Sequence, residues 1–163
     1  MALLHELFTN AREALDRATT HPINDDEERM ASHSFGSTVG AIGRWLVTHP
    51  EDRIEIDAFA QEMGMRVDDR TPLDRWWLSI WNAADAHEFR AYELEQALTL
   101  RSDLQFFIDI FRGRLRSNWI DELELEALDA RIRDTADATG PMSTVPTPPD
   151  IPPHHVWWTW GFR

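Results

Sequence analysis

The sequence predicts an all-α protein, a compact bundle of about five helices over residues 1–139 followed by an extended, proline- and tryptophan-rich strap over residues 140–163. Three observations carry this expectation. Apolar residues recur every three or four positions over most of the chain, which is the period of one helix face. Helix-start signals punctuate these stretches. Six of the nine prolines fall between Pro141 and Pro153, too densely for a helix or a central strand, so the chain there should be extended and polyproline-like.

Taken in order, Leu4, Leu7, Phe8, Ala11, Leu15 and Ala18 place one apolar stripe on a first helix, stopped by His21-Pro22. Asn24 followed by Glu27 reads as an N-cap with its reciprocal partner, opening a second helix that runs to Thr48 and is closed by Pro50. That helix carries Gly36, Gly40 and Gly43 on one face, each costing up to about 1 kcal/mol relative to alanine. The offset is expected from another backbone approaching closely where side chains are missing; a kink near Phe35-Gly36 is the alternative. Asp57 to Met63 reads as a short helix capped by Gly64. Thr71-Pro72-Leu73-Asp74 should start a long helix to about Leu100, with Trp77, Ile80, Trp81, Ala84, Ala91, Leu94 and Leu98 inward and Trp76 off the stripe. Ser102 with Gln105 reads as a further capping box, opening a helix with Leu104, Phe107, Ile108, Phe111 and Leu115 on its core face. A last helix should span about Asn118 to Ala138, with Ile120, Leu123, Ala127, Leu128 and Ile132 inward and acids outward.

Composition then bounds function. The net charge of -13, from 29 acidic and 16 basic residues, argues against DNA or an anionic membrane surface and favours a basic or neutral partner. The fragment Ala60-Gln61-Glu62-Met63-Gly64 resembles the first helix and turn of a helix-turn-helix, but Val67-Asp68-Asp69-Arg70 does not open a polar recognition helix. There is no cysteine, which excludes disulfides and thiolate chemistry, and no lysine, which excludes Schiff-base and phosphate-loop amines. No apolar run approaches the roughly 20 residues that span a bilayer, and no leader pattern opens the chain, so the expected location is cytoplasmic. Helical metal sites use Glu-x-x-His or His-x-x-x-His spacing, and neither occurs. His154-His155 and Asp85 with His87-Glu88 could ligate, but surface or capping roles suit them better, so neither metal nor cofactor is expected.

Three functional readings follow. Leading is a non-catalytic interaction or assembly protein, such as a subunit, adaptor, immunity or phage-type accessory protein. It would use an acidic helical face and the aromatic tail, Trp157, Trp158, Trp160 and Phe162, to engage another protein or a second copy as a homodimer. The tail must find a seat in cis or in trans, because indoles left in water are an aggregation hazard. A second reading rests on Arg44-Trp45-Leu46-Val47-Thr48-His49, which resembles the Arg, hydrophobic residue, any three residues, His motif of HEPN-type ribonucleases. The resemblance implies a helical, usually dimeric, metal-independent ribonuclease in which His49 acts as acid and base and Arg44 stabilises phosphate charge; only this reading involves RNA. Thirdly, Trp76, Trp81, His87 and Tyr92 could line a pocket for a small apolar ligand.

Overall fold

The computed structural model describes residues 2–20, 24–67, 71–85, 91–139 and 146–160. These contain six α-helices and no strand: α1 (Ala2–Thr19), α2 (Asp25–Thr48), α3 (Arg53–Arg66), α4 (Thr71–Ala84), α5 (Ala91–Phe111) and α6 (Leu125–Thr139). The predicted start of α2 is met, with the Asn24 side chain accepting from the Glu27 N–H at 2.9 Å. Phe8 of α1 stacks on Phe59 of α3 at 4.4 Å, and beside them Arg12 donates from Nε and Nη2 to the two carboxylate oxygens of Glu62. The two contacts tie the first and third helices together across 50 residues of chain.

Helix α2 is the hub, packed against α1, α4 and α5. It runs unbroken through Gly36, so the predicted alternative of a kink does not occur. The approach at its glycines is by side chains, not by another backbone as expected. A Cβ on Gly36 would stand 2.0 Å from the Trp76 ring of α4. On Gly40 it would stand 2.0 Å from the Asp103 carboxylate, and on Gly43 2.3 Å from the Phe106 ring, both of α5. The stripe is therefore a trough that admits two neighbouring helices through their largest or most polar residues.

This trough explains why Trp76, expected off the core stripe, is fully buried while Trp77 and Trp81 are only half-buried. The Trp76 indole enters the space above Gly36 and meets Phe107 edge-on at 5.4 Å and Trp119 at 6.3 Å. Its Nε1 has no hydrogen-bond partner among the described residues, whereas Trp119 Nε1 donates to Asp74 Oδ1 at 2.9 Å.

Several boundaries differ from expectation for identifiable reasons. Gly64 does not cap α3, which continues to Arg66; its missing side chain leaves room for the Arg114 carbonyl, 2.2 Å from where a Cβ would stand. Because the helix runs on there, the helix-turn-helix resemblance has no turn at Gly64. The long helix predicted from Pro72 to Leu100 is two helices, α4 ending at Ala84 and α5 starting at Ala91. Ser102 and Gln105 then lie inside α5 and cap nothing; the Ser102 hydroxyl is used by the strap instead. Gly113 follows the end of α5 at φ +75, a left-handed position that costs glycine little. Before α6, Trp119–Glu122 forms a 3-10 turn rather than α-helix, with Trp119 buried, and Ala127, expected inward, is exposed.

Candidate functional site

The most unusual cluster of side chains in the molecule is where the strap meets α5. Two turns closed by prolyl carbonyls, Ile151 N–H to Pro148 and His155 N–H to Pro152, bring the strap onto the helix. A 3-10 turn over Val156–Thr159 then lays two indoles against it. Trp157 and Trp158 are buried in their own chain, at 3% and 6% exposure. Both Nε1–H groups donate to one oxygen, Ser102 Oγ, at 2.9 and 2.8 Å. A serine suits this place because its oxygen carries two acceptor lone pairs on a side chain small enough to sit beneath two rings.

Arginines complete the seat. The Arg101 guanidinium lies 4.0 Å from the centre of the Trp157 ring while its Nε donates to Asp129 of α6 at 2.6 Å. Arg133 of α6 covers Trp160, which is half-buried, at 4.4 Å. Through these cation–π contacts the strap joins α5 to α6, two elements that otherwise meet little. Phe162 and His87 lie outside the described residues.

Beside the indoles, His155 is almost wholly enclosed between the Phe106 ring at 4.6 Å and the Trp157 ring at 4.7 Å. Among the described residues, neither of its ring nitrogens has a hydrogen-bond partner. His154 Nε2 lies 3.1 Å from Asp109 Oδ2, and ligand atoms of Asp109, His154 and His155 all fall within 4.8 Å of one another. On the α2 side, Arg44 Nη1 approaches Asp103 Oδ1 to 2.8 Å as an ion pair, not aligned as a hydrogen bond, and its guanidinium also lies over Phe106.

Burial acts in opposite senses on the two titratable groups. It pushes the Asp103 carboxyl up to about 7, against the pull of Arg44. It pushes the His155 imidazole down to about 4, aided by His154 and the two arginines and opposed by Asp109. A carboxyl whose folded pKa is raised contributes stability at low pH that is lost as pH rises from about 4 through 7. An imidazole whose folded pKa is lowered contributes stability above about 6.5 that is lost as pH falls towards 4. Across that window the two slopes oppose each other. Asp103→Asn removes one of them, so urea unfolding with a chelator present should show the variant losing about 2–3 kcal/mol more than the parent between pH 7 and pH 4.5. Equal pH slopes in the two proteins would contradict this assignment.

The described residues of the other readings each have contacts of their own. Arg44 is engaged by Asp103, while His49 stacks on Trp45 at 3.8 Å with its Nδ1 2.8 Å from the Thr48 hydroxyl. Trp76 is core, Trp81 meets Trp77 edge-on on α4, and Tyr92 is exposed beside a groove with Glu95 and Thr99. An open groove of about 790 Å³ between α2, α4 and α5 is lined by residues such as Ser37, Thr38, Ala83, Gln96 and Leu100.

Sequence reasoning missed Arg101, Ser102, Phe106 and Asp109. Their spacing puts them along one side of α5, which was a signal in hand, but Ser102 with Gln105 reads equally well as a helix start.

Fold and site together define an acidic, all-α bundle closed by a cis-docked aromatic strap. No known protein family matches the chain, and no characterised protein or solved structure is significantly similar to it.

Proposed function

We propose that this chain is a non-catalytic interaction or assembly protein, an adaptor or accessory subunit of bacterial or phage type, that works in the cytoplasm by binding a basic protein surface. The observation that carries this reading is the outer face of the segment from Asp121 to Asp137. The segment holds seven carboxylates, one of which, Asp129, is paired with Arg101 of α5, and two arginines. Both arginines are turned away from a partner, Arg131 onto Asp85 and Arg133 onto Trp160. Glu124, Glu126, Asp134 and Asp137 are left exposed on the outside. Across a two-fold axis such a face would repel its own copy, so it suits a different, positively charged protein better than a homodimer.

The strap has a supporting part in this reading. Rather than reaching for the partner, Trp157 and Trp160 hold α6 in place through Arg101 and Arg133, and so keep the acidic face rigid. Commitment of Arg44 to a buried carboxylate weighs against phosphate chemistry at that residue, and the separation of Trp76 from Tyr92 weighs against an apolar pocket.

The test is quantitative capture from extract of the native cell by the full chain and by a Glu124→Gln, Glu126→Gln, Asp134→Asn, Asp137→Asn variant. Exposed positions leave the fold unchanged, and a basic protein retained by the parent should drop about tenfold or more with the variant or in high salt, where exposed charges are screened. The same proteins held equally by both chains would overturn the reading. So would cleavage of single-stranded or structured RNA by the parent that disappears in His49→Ala.

A further inference from the structure

Asp109, His154 and His155 stand out because their relation is not explained by folding alone. Two consecutive histidines on the strap and one carboxylate on α5 converge from positions 45 residues apart. Enclosing a histidine whose ring nitrogens find no partner among the described residues leaves a donor and an acceptor unsatisfied, and such groups are rare where nothing is bound to them. Nitrogen and carboxylate ligands in a set of three match what Zn2+ and its neighbours in the first transition row take up.

We propose that Asp109, His154 and His155 form a binding site for a divalent transition-metal ion of the Zn2+ class, which pins the strap to α5.

Geometry supports the assignment. With bonds of about 2.0–2.2 Å, adjacent ligand atoms of a tetrahedral zinc lie about 3.3–3.6 Å apart. The 3.1 Å between His154 Nε2 and Asp109 Oδ2 is close to that edge. The widest separation in the set, within 4.8 Å, closes by roughly 1.2–1.5 Å of side-chain rotation to reach that edge. His154 is exposed and able to supply the rotation, while His155 is held by its two aromatic neighbours and fixes the position of the ion. Three protein ligands leave one tetrahedral position open. Asp109 and His154 border grooves in which Arg53 and Arg112 also stand, so water or a small anion suits that position better than another cation.

The ligands also explain why helix-spacing rules gave no metal site in the sequence. Those rules look for two ligands on one helix, whereas this set is split between a helix and an irregular strap. The site is independent of the acidic-face reading and stands or falls alone.

Tag-free, full-length protein is titrated with ZnSO4 and, separately, with CoCl2, following thermal unfolding and the visible d–d absorption of tetrahedral cobalt. His154→Ala and Asp109→Asn serve as variants, since both positions are exposed and their loss leaves the metal-free melting temperature near that of the parent. One equivalent of cobalt should give the tetrahedral spectrum. Zn2+ at about 100 times its Kd should raise the melting temperature by about 5–10 °C. Each variant should bind at least tenfold more weakly and lose the cobalt spectrum. Absence of a cobalt spectrum and of any zinc-induced shift in the parent overturns the proposal, and so does a shift of the same size in parent and both variants, which would place the ion elsewhere.

Discussion

Gly36→Ala is expected to destabilise the protein by about 1–2 kcal/mol net, although alanine is the better helix former by about 1 kcal/mol. The sign follows from comparing the two effects. In an exposed helix the substitution would stabilise. Here the added methyl would stand 2.0 Å from one carbon of the Trp76 ring and 2.4 Å from its nitrogen. That ring cannot turn aside, because it is fully buried between α2, Phe107 and Trp119. Overpacking a close-packed interior costs about 1–3 kcal/mol and here exceeds the gain in helix propensity. Urea denaturation should show a lower midpoint with an unchanged slope. Coupling provides an independent check: in a Trp76→Leu background, where the ring is absent, Gly36→Ala should cost less than in the parent. A Gly36→Ala protein as stable as the parent would mean that Trp76 does not occupy this trough.

Removing the strap should have the larger effect of the two. A chain ending at Thr139 loses the buried Trp157 and Trp158 and the covers that they and His155 place over Arg101, Ser102 and Phe106. Full burial of a large apolar side chain contributes about 1.5–3 kcal/mol, so two indoles with their neighbours represent roughly 4–6 kcal/mol. For a domain of this size that corresponds to a fall in melting temperature of about 10 °C or more. Ser102→Ala isolates the polar part of the seat. It leaves two buried indole N–H groups without an acceptor, each costing about 1–3 kcal/mol, and it should free the strap to protease before the bundle unfolds. Unchanged melting and proteolysis in both proteins would show that the tail is not seated as described.

What was legible follows the reach of each physical rule. Apolar spacing located α1 and the core face of α5 at Leu104, Phe107, Ile108 and Phe111, because helical period is a property of adjacent turns. The Asn24 cap was legible for the same reason: its partner is three residues away. The division between α4 and α5 was not, since the stripe through Trp77, Trp81 and Leu94 reads as one helix and nothing at 85–90 announces a break to the periodicity. Trp76 was placed on the wrong side because two adjacent tryptophans compete for the core. The choice between them belongs to Gly36, forty residues upstream.

The sequence by itself determined the helical class, the isolation of the proline-rich segment from that class, the acidity of the surface and the requirement that the terminal indoles be sheltered. Each depends on composition or on neighbours within a turn or two. Tertiary structure alone decided that the strap seats on its own α5, that Ser102 is its acceptor and that Arg44 is held by Asp103. It alone brought His154 and His155 to Asp109. Those contacts join groups 45 to 59 residues apart. No local period encodes such pairs; they arise when the glycine trough of α2 sets how closely α5 approaches, and thereby which of its side chains remain for the strap to cover.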